Sequence, residues 1–305
     1  SNWGESLVTI PAGDCTGSGN TPNNSGSGTG TNPIPYTYVF EDNYPLVGDY
    51  DFNDVVLDVT TDYQREKKTN AIRKIQLNVT LTAAGASKVL GAGLRIVGID
   101  KSAIKSVTTG GDDKRFQTTL TNPRNSKLKF FNYNSSTNME DGDNNIVIPL
   151  FNNAHQVFGV NDGLLVNTQG SSSSAINGQK TYTYEIIIEL NDQTKTDPIF
   201  SKDNLDFFIC YNYKNMAKRM EVHLYEFWKY GATASGTIQQ ENLDLAGNNT
   251  WAICVPNFRY PKENVNISIS SDPSEGAYPK FLNWARGRSV DPDWYLYPNK
   301  DKVCR

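Results

Sequence analysis

The sequence predicts an all-β protein: an antiparallel β-sandwich, jelly-roll-like, with a few short helices. Three observations predict it. Asn, Thr, Ser, Gly and Tyr are abundant while runs of Leu, Ala and Glu are missing, a composition that favours strands and loops over helices. Stretches of period-two alternation recur along the chain. Turns rich in Gly, Asp and Asn separate them, as in two packed antiparallel sheets.

At 305 residues the chain is long enough to bury a substantial core, since single cores stop growing at roughly 250–300 residues. From Cys15 to Pro35 it reads CTGSGNTPNNSGSGTGTNPIP, which holds too little apolar surface to offset its own ordering. Residues 1–35 are therefore expected to be an N-terminal segment and linker, and 36–305 a sandwich domain with a subdomain division near 190–205. Strands are expected at 36–40, 54–63, 72–83, 93–99, 127–131, 146–150, 181–190, 205–211, 220–224, 251–254 and 265–269. In the third of these Ile75, Leu77, Val79 and Leu81 share one face. Short helices are expected at 152–158 and at 278–286, where Gly287 ends the run. Gly110-Gly111-Asp112-Asp113 reads as a turn, and Glu140 to Asn145 as a solvated hairpin turn, with a second calcium loop as the alternative.

Lys and Arg are scattered and the formal net charge is −4, so the footprint of a nucleic-acid binder is absent. No apolar run approaches the roughly 20 residues of a membrane-spanning helix, and the chain opens on polar Ser1-Asn2-Trp3-Gly4, so any export signal or lipid anchor is expected upstream. Cys15, Cys210, Cys254 and Cys304 lack the C-x-x-C spacing of zinc or redox sites, and their even number is compatible with disulfides in an oxidising compartment. Cys210 and Cys254 sit at buried strand positions, where a mutual bridge and free buried thiols both fit.

The chemistry concentrates between Phe40 and Asp58. Asp49, Asp51 and Asn53 place oxygen donors at alternate positions, with Asp54, Asp58, Glu41 and Asp42 close in sequence. Calcium takes six to eight hard oxygen ligands, and a tight loop with a donor at every second residue can wrap one ion. An EF-hand is not expected, because position six of the pattern is Asp54 instead of Gly and position twelve is Thr60 instead of Glu. Asp49, Asp51, Asn53 and Asp54 are the expected core ligands, with Glu41, Asp42 or Asp58 completing the shell. The competing reading is an acidic turn whose Asp and Asn side chains cap backbone amides.

The same segment, F-E-D-x-x-P-x-x-G-D-Y-D-F-N-D-x-V-x-D, resembles the signature of the LruC-domain family, exported proteins and lipoproteins of Bacteroidetes and other Gram-negative bacteria. Further matching stretches are Ile148 to His155, Leu165 to Thr168, Glu221 to Leu224, Trp251 to Pro256, Phe258 to Glu263, Tyr278 to Phe281 and Asp293 to Tyr295. After Leu224 the family pattern continues Pro-Gly-Tyr, whereas this chain has Tyr225-Glu226-Phe227-Trp228. The resemblance implies an exported protein of the periplasm, outer membrane or cell surface, in a family largely of unknown function.

No nucleophile elbow, metalloprotease helix, phosphate loop or dinucleotide turn is present, and the two histidines, His155 and His223, read as bystanders. No catalytic residue is assigned. Trp228, Tyr230 and Trp294 lie in loop contexts where a flat ring can stack on a sugar or a protein partner, or plug the end of a sandwich. The expected function is a non-enzymatic, calcium-stabilised, carbohydrate-binding module of the cell envelope. A structural or adhesive surface protein is the alternative, and a glycoside hydrolase the third reading.

Overall fold

Alternation of apolar and polar residues builds two antiparallel sheets that face each other. The computed structural model describes residues 34–304 apart from 47, 70, 143, 192–203, 213–218, 225–226, 228–229, 231–250, 269–274 and 288–289. Within them the strands are β1 (Tyr36–Phe40), β2 (Val55–Arg65), β3 (Ile72–Ala83), β4 (Gly91–Ile96), β5 (Ile104–Gly111), β6 (Tyr133–Asn134), β7 (Met139–Glu140), β8 (Ile146–Phe151), β9 (Leu165–Val166), β10 (Ala175–Ile176), β11 (Tyr182–Leu190), β12 (Leu205–Asn212), β13 (Arg219–His223) and β14 (Ala252–Pro256). The α-helices are α1 (Asp113–Thr121), α2 (Ala154–Phe158) and α3 (Phe281–Gly287).

The larger sheet runs β14-β1-β2-β3-β11-β5 and the smaller β13-β12-β4-β8. Leu57, Val59, Ile75, Leu77, Val79, Leu81, Tyr184, Ile186 and Ile188 of the larger sheet share one core with Leu94, Ile148, Phe207, Ile209 and Val222 of the smaller. Tyr38 and Phe207 meet across the sheets with ring centroids 4.6 Å apart. Successive side chains point to opposite faces, so the other face of the small sheet carries Arg95, Asp206, Phe208, Cys210, Glu221 and His223. Leu120, Phe130 and Phe131 pack on that outer side. One end of the large sheet is also covered outside, where Val39, Val56, Ile253 and Val255 pack with Phe258, Tyr260, Tyr278, Phe281, Trp284 and Trp294. Strands that read as continuous apolar runs, such as Leu205–Asn212, are those buried on both faces.

Several expectations change. Residues 127–131 do not pair as a strand: Ser126–Leu128 form a 3-10 turn, and the Phe130 N–H donates to Asn152 Oδ1 at 2.9 Å. Residues 265–268 are not a strand either, and Ile267 N–H donates to Tyr50 O at 2.7 Å, while 269 lies outside the described residues. Strand β5 and helix α1 were not expected, because Thr108-Thr109-Gly110-Gly111-Asp112-Asp113 carries turn residues; pairing with β11 overrides that propensity. Cys210 carries a free thiol, so the Cys210–Cys254 bridge does not form. The physical reason is facing: Cys210 lies against Phe130 and Phe131 outside the small sheet, whereas Cys254 belongs to the core between the sheets. Of the N-terminal segment and linker at 1–35, residues 1–33 lie outside the described ones, as do 192–203 of the proposed division near 190–205; β11 and β12, on either side of that division, belong to different sheets and one core.

Candidate metal centre

The acidic segment is the connection between β1 and β2. Tyr50 and Phe52 adopt left-handed backbone, with φ of 59° and 50°. Such conformations cost non-glycine residues of order 1–3 kcal/mol and persist where the surroundings over-determine them. Both rings are buried in the cluster outside the large sheet, which supplies that determination. With alternate residues turned into the core, the acids between them are held close. Glu41, Asp49 and Asp51 each bring a carboxylate oxygen to within 4.8 Å of the others, and ligands sharing an ion at about 2.4 Å can lie about that far apart. Glu41 and Asp51 are buried, while Asp49 is exposed and marks the solvent side.

Glu41 Oε1 accepts the Phe52 N–H at 2.6 Å, whereas Oε2 is buried with no hydrogen-bond partner. A Cβ on Gly48 would stand 2.3 Å from that oxygen, so any other residue there has to displace the Glu41 carboxylate. Burial pushes the Glu41 carboxyl well above its usual range, and Asp54, Asp51 and Asp49 add to it. Asp51 is pushed up to about 8 by burial and by Asp49. A buried unpaired carboxylate is costly, so the loop concentrates negative charge that only protons or a cation can offset.

The expected ligands separate into two groups. Glu41, Asp49 and Asp51 converge. Asp42 instead pairs with Lys88 Nζ at 3.1 Å, and Asp54 Oδ2 accepts the Asp42 N–H at 2.6 Å, the capping role of an acidic turn. Asp58 is taken up by the sheet, accepting from Thr37 Oγ1 and Thr82 Oγ1, both at 2.7 Å. Asn53 Nδ2 donates to Pro261 O at 3.5 Å, and its Oδ1 lies 2.1 Å from where a Gly85 Cβ would be, so this side chain is wedged between loops.

Sequence reasoning missed Glu263, more than two hundred residues downstream. Asn264 N–H donates to Asp51 Oδ2 at 2.8 Å, and Glu263 N–H to Thr168 O at 2.9 Å, which bring this segment against the loop. Glu263 Oε2 is buried without a partner, and burial, with Asp49 adding to it, raises the Glu263 carboxyl. No local signal could have found it, since the contact is purely tertiary.

Among the aromatic candidates, Trp294 is fully buried, ringed by Phe258, Tyr278, Phe281 and Trp284, and offers no face to solvent. A Trp among Pro and Asp residues looks exposed in sequence, but this one closes the outer cluster. Tyr230 is half exposed and packs near Phe227 at 6.4 Å, and Trp228 lies outside the described residues.

The histidines are better integrated than the sequence suggests. His155 Nε2 lies 2.8 Å from Leu164 O. His223 sits inside a buried chain of alternating charge: Arg95 Nε to Asp206 Oδ2 at 2.7 Å, Asp206 to His223 Nδ1 at 2.9 Å, His223 Nε2 to Glu221 Oε2 at 2.8 Å, Glu221 to Arg219 at 2.8 Å, and Arg219 Nη1 to Glu140 at 2.7 Å. Glu140 therefore leaves the solvated turn expected of it and is a buried ion-pair partner; Asp143 of that turn lies outside the described residues. Carboxylates on both ring nitrogens require His223 to donate from both, as imidazolium. Burial alone would lower its pKa, and Asp206 and Glu221 outweigh that and raise it.

Among the described residues no helix is long and apolar enough to cross a membrane. No curated protein matches the chain. A solved structure at 2.08 Å, described as a "Putative lipoprotein from Bacteroides ovatus", is similar at a TM-score of 0.48 and 14% identity, covering 89% of this chain and 75% of that one. Residues 70–295, well over half of the sequence, match the domain of unknown function DUF4842; the acidic loop precedes the matched span. The chain belongs to the DUF4842 family.

Proposed function

We propose that this chain is a calcium-stapled binding module of the Gram-negative cell envelope that works without chemistry of its own. The observation that carries the metal reading is the buried, unpartnered Glu41 Oε2 beside Asp49 and Asp51. The group is all hard oxygen, the donor set calcium prefers, with neither thiolate nor imidazole to favour zinc. Glu263 stands near enough for Asp49 to raise its pKa, which makes it the candidate fourth carboxylate. An ion held there ties the β1–β2 loop to the chain after β14. Location rests on the resemblance of residues 40–58 to the LruC-domain signature, and carbohydrate as ligand class is an analogy from sandwich folds.

The test is a melting scan in calcium and in chelator, with elemental analysis of the purified protein. Retained calcium and a higher melting temperature with the ion are expected. Equal melting temperatures together with no bound metal overturn the reading.

A further inference from the structure

We infer that a basic cavity beside the metal centre binds a saccharide unit carrying a carboxylate or sulfate. It is open to solvent on one side, has a volume of about 560 Å³ and is lined by Gln169, Arg259, Lys262, Lys300, Asp301 and Val303. Small-molecule sites run from roughly 300 to 1,000 Å³.

The cavity is built by two segments that pair with each other. Pro261 and Val303 form an antiparallel bridge, Lys262 N–H donates to Lys302 O at 3.0 Å, and Cys304 N–H donates to Tyr260 O at 2.8 Å. Lys262 lines the cavity, and the turn that follows it carries Glu263 and Asn264, whose N–H donates to Asp51 Oδ2 at 2.8 Å.

Charge sets the ligand. Among the described lining residues three cations face one carboxylate, in a protein whose net charge is −4. Among the described residues neither Lys262 nor Lys300 has an ion-pair partner, and Arg259 spends only its Nε, on Cys304 O at 3.2 Å. An anion is what these heads lack. Among the described lining residues Val303 is the one apolar side chain, so the walls favour a polar ligand over a lipid tail. The Gln169 amide and the Asp301 carboxylate add a donor and acceptors suited to hydroxyls. Gln169 is held with φ at 54°, its N–H donating to Asn177 Oδ1 at 2.8 Å, an uncommon backbone state that fixes where the amide starts.

This inference deepens the binding-module reading and rests on it for ligand class, but it does not rest on the metal. The experiment is calorimetric titration of the full chain with a digalacturonate, a sulfated disaccharide, a neutral disaccharide and sodium sulfate, repeated for Lys262→Glu and Lys300→Glu, whose folding is checked by melting. At least one acidic disaccharide should bind, tighter than the neutral one and than sulfate, with each substitution weakening it tenfold or more. Binding of neither acidic sugar, equal binding of the neutral one or of sulfate, or binding indifferent to both substitutions overturns the site. Calcium-dependent melting that survives such a result leaves the metal reading standing, and a module that takes only neutral sugars leaves the binding reading standing.

Discussion

The Phe52 N–H satisfies Glu41 Oε1 at 2.6 Å and leaves Glu41 Oε2 buried without a donor. The bond spans the whole β1–β2 loop, so the backbone that fixes the carboxylate also leaves half of it unmet. Saturating calcium at about a hundred times its dissociation constant should add about 2.7 kcal/mol. At roughly 2–4 °C per kcal/mol this is a shift of about 5–10 °C.

Asp51→Asn should reverse sign with the metal. In chelator the folded protein works against ionising a carboxyl pushed up to about 8, so the neutral amide raises the melting temperature; in calcium the variant loses a ligand and melts lower than wild type. Paired melting curves read both signs, and the same sign in both buffers contradicts the assignment.

The same carboxyls set a pH dependence. An acid whose folded pKa lies above its unfolded value binds more protons folded than unfolded, so stability falls as pH rises between the two. For Asp51 that window runs from about 4, its unfolded value, to about 8 in the folded state. Calcium needs these groups ionised and displaces the protons. The calcium-induced rise in melting temperature should therefore be greatest near pH 8 and fade toward pH 5, which a pH series with and without chelator measures.

Gly48→Ala places a methyl 2.3 Å from Glu41 Oε2. Overpacking of this kind costs about 1–3 kcal/mol, and displacement of the oxygen should weaken calcium as well. Denaturant titration and calcium titration of the variant read the two effects separately, and a wild-type result in both means the loop relaxes freely.

His223→Leu should destabilise by about 1–3 kcal/mol, because Asp206 and Glu221 keep Arg95 and Arg219 but lose the cation between them and the hydrogen bonds it donates. Since the folded pKa of His223 is raised, its contribution is fully present below the unfolded value near 6.5 and is lost as pH climbs through the folded one. Unlike the acid-loop effect, this slope should be insensitive to calcium. Urea unfolding at pH 6 and pH 9 in chelator and in calcium separates them.

Trp294→Ala should cost about 3–5 kcal/mol as a cavity mutation in the aromatic cluster, and any sugar affinity measured at a stability-matched temperature should be unchanged. A variant that melts like wild type contradicts the buried position.

The sequence by itself determined most of the long strands and which side of them is apolar, but not β5, and it placed strands at 127–131 and 265–269 where the described residues form none. The alternation of Ile75, Leu77, Val79 and Leu81 specifies a half-buried strand, and β3 runs over Ile72–Ala83 as expected. It also marked where oxygen donors crowd, because spacing within one loop is a local property. Tertiary structure decided everything that depends on distant partners. It spent Asp42 on Lys88 and Asp58 on two threonines, brought Asn264 and its neighbour Glu263 to the acidic loop through Asp51, turned Cys210 away from Cys254, buried Trp294, and joined His223 to Arg95 and Arg219 through buried carboxylates. Local propensity and period act over a few residues, whereas a carboxylate's fate depends on which cation, hydroxyl or like charge the folded sheets set against it.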